Sequence, residues 1–367
     1  MPAEAVRALP AAVRHGFFPA LVRWQAEHGR HGLPWQGTRD PYRVWLSEIM
    51  LQQTQVSTVL AYYPRFLARF PDVQTLAAAP LDEVLTLWSG LGYYSRARHL
   101  HRCAQQVVAD WGGIFPERAA DLETLSGVGR STGAAIASFC FGEPVSILDG
   151  NVKRVLTRLL AFDGDLAVGT QEKVLWALAQ ALVPATPEPA DMARYTQGLM
   201  DLGATVCTRS KPQCLLCPAQ PLCAALAQGR PTAFPVKTRK LLRRTEAWWL
   251  LVWQRADGAL WLQPRPARGI WAGLFAFPVF HSVADLDAAV AQAGGQPGAG
   301  VTHEVLRHSL THRELLLQPV QVPWPHTDRT PPAAAGGGRW VGPDDDLAFG
   351  LPAPLRSWLL AQRRVAP

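Results

Sequence analysis

From about residue 15 to residue 225 the apolar positions recur at helical spacing, and the runs are broken repeatedly by Pro and Gly. The segment "PDVQTLAAAPLDEVLTLWSGLGYYSRARHLHRCAQQVVADWGG" reads as short helices between such breaks, and no alternating strand pattern interrupts the stretch. The period then changes. "EAWWLLVWQRADGALWLQPRP" is two β-rich runs around Asp257-Gly258, a hairpin signal. "LFAFPVF", "LLLQPVQVPW" and "GRWVGP" read as further strands, "VADLDAAVAQAGG" and "PLRSWLLAQ" as helices, and Ala333 to Gly338 as a short flexible loop. The pattern predicts an all-α domain over residues 1–229, a basic connector over 230–246, and a smaller α+β domain over 247–367.

One charge interrupts the pattern. "DPYRVWLSEIMLQQTQV" opens with Asp40 as N-cap and Pro41 at the first helical position, and the helix is expected to run toward Val56. The neighbours of Glu48 three and four residues away are Val44, Trp45, Leu51 and Gln52, none of them a cation. A carboxyl so placed is either desolvated, with a raised pKa suited to a general acid near neutral pH, or turned to a surface groove or an Arg from elsewhere.

Two further stretches carry polar chemistry. In "PERAADLETLSGVGRSTGAAIASFCFG", residues 116–142, a helix from Pro116 to Leu125 is expected to meet the turn Gly127-Val128-Gly129, with a second helix opening at Arg130 to Thr132. The two glycines allow conformations and close approaches that let turn amides face one phosphate. Downstream, "ILDGNVKRVLTRLL" sets Asp149 before a helix, as an N-cap that helix dipoles should keep ionised. A protonated Glu48 beside an ionised Asp149 would form a split acid and electrostatic-stabiliser pair.

Composition bounds the class. The chain has 367 residues, 48% hydrophobic and 18% charged, which is ordinary for a globular protein of two domains. No apolar run is long enough to span a bilayer and the N-terminus lacks a secretory pattern, so a cytoplasmic, membrane-free protein is expected. Most of the net charge of +7 sits in the connector, where residues 230–246 carry 6 Lys/Arg against 1 Asp/Glu. That segment suits either a polyanion or plain solvation. Cys207, Cys214, Cys217 and Cys223 follow C-x6-C-x2-C-x5-C, a metal-binding pattern rather than a disulfide one. Cys103 and Cys140 lie in apolar helical surroundings and read as buried small hydrophobes.

Taken in order, the strings "LPWQ", "DPYRVWLSEIMLQQTQV", "LWSGLGYYSRARHL", "GVGRSTGAAI", "ILDGNVKRVL" and "MDLGATVCTRSKPQCLLCP" resemble the MutY family of the endonuclease III superfamily of DNA glycosylases. The resemblance implies a helix-hairpin-helix glycosylase domain followed by a Nudix-like 8-oxoguanine recognition domain, acting as a monomer on duplex DNA with A·8-oxoG or A·G mispairs. It implies Glu48 as the acid that protonates adenine and Asp149 as the carboxylate that stabilises the sugar cation. It further implies Trp35, Leu51 and Gln197 around the extruded adenine, Gln53 and Tyr93 as wedges, and Gly127, Val128, Gly129, Ser131, Arg209 and Lys211 on the DNA backbone. The cysteine quartet, residues 207–223, would hold a [4Fe-4S] cluster, and the basic connector could bind replication or repair partners.

Three features refine the resemblance. Bifunctional members carry Lys in the hairpin where this chain has Ser131, so the resemblance implies monofunctional hydrolysis. "GIWAGLFAFP" matches the Nudix-like core, but no Gly-x5-Glu-x7-Arg-Glu follows, so a binding module is implied. The family's Phe-Ser-His loop appears as Leu310-Thr311-His312, leaving Thr311 and His312 as the implied lesion contacts. The rivals are a bifunctional pyrimidine-damage glycosylase and a non-catalytic nucleic-acid module with structural zinc at the cysteines.

Overall fold

The computed structural model describes residues 2–238, 243–332, 337–347 and 349–365. The chain divides into two compact units, Met1–Ala78 with His99–Lys240, and Ala79–Arg98 with Leu241–Pro367. The first is helical. The helices that position its polar groups are α1 (Ala11–His28), α2 (Pro41–Leu51), α3 (Val56–Arg69), α4 (Arg130–Ile136), α5 (Gly150–Leu159) and α6 (Pro189–Asp201). Their core includes Phe17, Leu21, Leu148, Leu156, Tyr195 and Leu199, all nearly or fully inaccessible.

Several local expectations are redrawn. The helix α2 stops at Leu51 rather than running on toward Val56, because Gln53 adopts a left-handed φ of 55° and a new helix opens at Val56. The helix expected from Pro116 to Leu125 contracts to one turn, Ala119–Leu122. Two helices loosen at their ends. α4 continues through a π-helical turn at Ala137–Phe141, and α6 through another at Leu202–Val206 that delivers Cys207.

The second unit carries a mixed sheet of β1 (Arg244–Gln254), β2 (Leu260–Pro264), β3 (Phe275–Ala276), β4 (Val279–Phe280), β5 (Val301–Thr302), β6 (Leu306–Ser309), β7 (Arg313–Pro323) and β8 (Arg339–Val341). The β1–β2 hairpin forms at Asp257-Gly258, with Gly258 at φ 82° as the turn requires. β1 lies parallel to β7 along its whole length, from Arg244↔Arg313 to Gln254↔Pro323. A parallel pair needs a crossover, and the intervening segment includes helix α7 (Val283–Gln292). Leu286 and Val290 of α7 pack on Leu251, Trp253, Val320 and Val322 of the sheet. Helix α8 (Ala353–Val365) ends the described chain.

Arg239, Lys240, Leu241 and Leu242 of the predicted connector, and Ala333 to Gly336 of the predicted loop, lie outside the described residues. The start of the connector is tied down: Leu166 N donates to Val236 O (3.2 Å), and Thr238 N to Asp165 Oδ1 (3.3 Å). Its end, Arg244 to Glu246, already belongs to β1.

Candidate active site

Helix α2 is set by its cap. Asp40 Oδ1 accepts from Tyr42 N at 2.9 Å, Pro41 starts the first turn, and Val44, Trp45, Leu46, Ile49 and Met50 are buried. That burial fixes the rotation of the helix and turns Glu48 and Leu51 into a cleft of about 740 Å³. Trp35 and Gln197 line the same cleft, so four of the sequence-derived candidates meet there. Glu48 has no ion pair or hydrogen bond among the described residues. Burial first, and then the charge of Asp149, raise its pKa from 4.5 to about 8. It keeps a part-exposed edge in the cleft, so the acid is both protonated near neutral pH and reachable.

Asp149 caps α5, with Oδ1 accepting from Val152 N at 2.7 Å. The cap forms where the sequence places it. Burial raises its pKa, against hydrogen bonds from the Val152 and Asn151 amides and the charges of Arg154 and Lys153. Desolvation outweighs the cap. The carboxyl of Asp149 is not part of the cleft lining, although its charge reaches Glu48. Ser131 Oγ accepts from Leu148 N at 3.1 Å, so the hydroxyl braces the residue just before Asp149.

The turn at Gly127-Val128-Gly129 is built on one obligatory glycine. Gly127 has φ 79°, and a Cβ there would lie 2.6 Å from His99 Cβ. Val128 is buried. Gly129 departs from the expectation of a second special conformation. Its φ is −93°, it is the N-cap of α4, and a Cβ would meet nothing, so its contribution is open space above the turn.

Gln53 is exposed, and its left-handed φ is uncommon for a non-glycine residue. Tyr93, in the second unit, shares that trait at φ 48° and is 44% exposed, a large aromatic surface left in solvent. Within the same unit Tyr93 Oη lies 3.2 Å from Thr311 Oγ1. Thr311 and His312 form the two-residue tip of the β6–β7 hairpin, closed by Leu310 N donating to Arg313 O at 2.7 Å.

Cys207, Cys214, Cys217 and Cys223 line one small cavity together with Arg158. No group of three His, Cys, Asp or Glu among the described residues is spaced to hold a single metal ion. Four soft sulfur donors lining one cavity are the donor chemistry of an iron–sulfur cluster, so the residues present fit such a group. The first cysteine loop is held from α5. Arg154 Nε donates to Cys207 O (2.8 Å), and Arg158 donates to Thr208 O (2.7 Å) and Arg209 O (2.8 Å). Arg209 and Lys211 themselves are exposed on that loop. Cys103 and Cys140 are buried.

Comparison with known proteins places the chain. Residues 46–185 match the HhH-GPD superfamily of base excision DNA repair proteins, and residues 248–361 match the NUDIX domain. The adenine DNA glycosylase of Buchnera aphidicola subsp. Baizongia pistaciae (strain Bp) is 36% identical over 308 residues, covering 83% of this chain and 86% of the relative. This chain belongs to the adenine DNA glycosylase (MutY) family. The Rattus norvegicus adenine DNA glycosylase is 46% identical over 227 residues, 59% of this chain and 43% of that protein. Among solved structures, a thermostable thymine-DNA glycosylase superimposes with a TM-score of 0.52 at 29% identity, over 59% of this chain and 97% of that one. The protein is therefore a DNA glycosylase of base excision repair, with a helix-hairpin-helix unit followed by a smaller Nudix-like one.

One residue of this glycosylase's cleft, Arg30, and one just behind its wall, Asp201, escape the sequence reading. Arg30 lines the cleft, and its Nε donates to Asp201 Oδ1 at 2.7 Å. Asp201 sits four positions after Gln197 on α6, so helical spacing alone could have drawn attention to it; Arg30 lies far away in sequence and carries no such signal.

Proposed function

We propose that this glycosylase removes adenine mispaired with 8-oxoguanine or guanine in duplex DNA, in the cytosol, by hydrolysing the N-glycosidic bond of a flipped-out nucleotide. The observation that carries the reading is a carboxyl with a pKa raised by burial to about 8, Glu48, in the wall of a cleft roomy enough for a base. Adenine leaves poorly as an anion. Protonation of a ring nitrogen by Glu48 lets the glycosidic bond lengthen into an oxocarbenium-like state. Asp149 then stabilises the sugar cation. Of the two carboxyls, Asp149 has the amide donors and nearby cations that favour the ionised form, so the shared proton resides on Glu48. The decisive experiment is alkali-revealed cleavage of an A·8-oxoG duplex by the wild type and Glu48→Gln.

The base must leave the stack, at a cost of a few kcal/mol. Gln53 and Tyr93, held exposed in rare backbone conformations, suit wedges that replace lost stacking. Trp35, Leu51 and Gln197 would receive the base. Gly127, Val128, Gly129 and the start of α4, with Arg209 and Lys211, would hold phosphates. Thr311 and His312 would read 8-oxoguanine with the hydroxyl and imidazole alone, Leu310 supplying no ring. We assign residues 1–229 to glycosylase chemistry, 247–367 to lesion recognition, and the exposed cations of 230–246 to the duplex or a repair partner.

Ser131 has no amine for a Schiff base, and its oxygen is engaged by the Leu148 amide. Water completes the reaction in this scheme. Borohydride added during turnover on A·8-oxoG duplex is expected to trap little covalent protein–DNA adduct; efficient trapping by the wild type would assign it a lyase mechanism instead.

The cysteine cavity is assigned to a [4Fe-4S] cluster held by Cys207, Cys214, Cys217 and Cys223. The bound cluster would supply a rigid core for the loop that carries Arg209 and Lys211. Purified protein is expected to contain about four iron and four sulfide per chain. One zinc and no sulfide would replace this assignment with a tetrathiolate site.

A further inference from the structure

Asp201 is a buried carboxylate at the end of α6 that the chemistry above does not use, and its side chain is fully inaccessible. Among the described residues, the three hydrogen bonds to its carboxylate come from two residues of the cleft wall. Oδ1 accepts from Arg30 Nε at 2.7 Å and from Gln197 Nε2 at 2.8 Å, and Oδ2 accepts from Arg30 N at 2.9 Å. Asp201 itself does not line the cleft.

The consequence is chemical. A carboxylate only accepts, so the NH2 end of the Gln197 amide must face Asp201, which leaves Oε1 as the atom offered to the cleft. Arg30 engages Asp201 through Nε, which leaves Nη1 and Nη2 as donors on the same wall. The loop of Arg30 is braced as well, since Gln36 Nε2 donates to Arg30 O at 3.0 Å and Gln36 Oε1 accepts from Leu33 N at 3.0 Å. The wall thus offers a fixed acceptor beside fixed donors. A 6-aminopurine edge complements it, with an exocyclic amine next to a ring nitrogen. A 6-oxopurine would set a carbonyl against Gln197 Oε1, two acceptors with no hydrogen between them.

We propose that Asp201 is a positioning residue: by holding the amide of Gln197 and the guanidinium of Arg30 in one orientation, it makes the cleft selective for a 6-aminopurine over a 6-oxopurine. The proposal rests on reading the cleft as the base pocket. It places the selectivity element outside the pocket, in a side chain that never touches the base.

The test compares single-turnover excision of adenine, purine and hypoxanthine from otherwise identical duplexes by the full-length wild type and Asp201→Asn. Asparagine has a donor as well as an acceptor, so it lets the Gln197 amide turn over and present its NH2. The wild type is expected to prefer adenine to both analogues. Asp201→Asn is expected to lower the adenine-to-hypoxanthine rate ratio about tenfold, one hydrogen bond's worth. A merely structural role would slow all three bases by the same factor and leave the ratio in place, which overturns the proposal. Should Asp201→Asn fail to fold, Gln197→Met removes the oriented amide while keeping the Asp201–Arg30 pair. The same narrowing is expected there, and an unchanged ratio counts against the proposal equally. A wild type that releases none of the three bases overturns the base-pocket reading and this proposal with it, whereas an active wild type with unchanged ratios in the variants overturns the role of Asp201 alone.

Discussion

Glu48→Gln is expected to slow adenine release about 10²–10⁴-fold, the usual contribution of a positioned general acid, with duplex affinity retained. Glutamine keeps the shape of the side chain and removes the transferable proton. The effect should be large because, among the described residues, Glu48 is the only carboxyl in the cleft lining, and Asp149, whose charge reaches it, lies outside that lining. Single-turnover excision on an A·8-oxoG duplex, developed with alkali, reads the rate, and a binding titration on the same duplex reads the affinity. Excision within tenfold of the wild type would remove Glu48 from the chemistry.

The second large effect is on pH dependence. Burial and the neighbouring charge of Asp149 raise the Glu48 pKa from 4.5 to about 8, so the folded protein binds a proton there that the unfolded chain releases. A raised carboxyl works in the opposite sense to a salt-bridged one. Its environment imposes no penalty below pH about 4.5, destabilises the fold increasingly as pH rises, and reaches its full penalty once pH passes about 8. The Glu48 edge is partly open, so screening limits the penalty to about 2–4 kcal/mol. Glu48→Gln is neutral at every pH. Its stability relative to the wild type is expected to rise between pH 5 and pH 9, read as a widening gap between the two unfolding midpoints, while excision by the wild type falls above pH about 8. A gap that stays constant over that range would mean that Glu48 titrates as an ordinary exposed acid.

Much of this was legible in the sequence, for identifiable reasons. The change from a 3.6-residue to a two-residue period marks where helices give way to strands, and Gly258 pins the first hairpin. The Asp40-Pro41 start could be read because capping is local, and the cysteine quartet because metal-ligand spacing is. Glu48 stood out as a charge without a helical partner. What stayed hidden depends on distant contacts. β5 is exposed and β6 only part-buried, and both are too brief to show a period. The parallel pairing of β1 with β7 depends on a crossover, which leaves no mark in either strand. The left-handed Gln53 ends α2 against the helical propensity of its neighbours. The upward pull on the Asp149 pKa stayed hidden because burial, unlike capping, is a property of the whole fold. The Arg30–Asp201–Gln197 triad joins α6 to the loop after α1, a pairing that only coordinates reveal.

Helix α5 has ten residues, about 15 Å of backbone, with Asp149 capping one end. Arg154 and Arg158 project from its later turns into the carbonyls of the first cysteine loop. The helix is in effect a strut between the Asp149 cap and the cavity lined by the four cysteines. Oxidative damage that unfolded the cysteine loop would take three of the Arg154 and Arg158 anchors from the far end, so injury to a sulfur should be felt at Asp149 before the chain as a whole unravels.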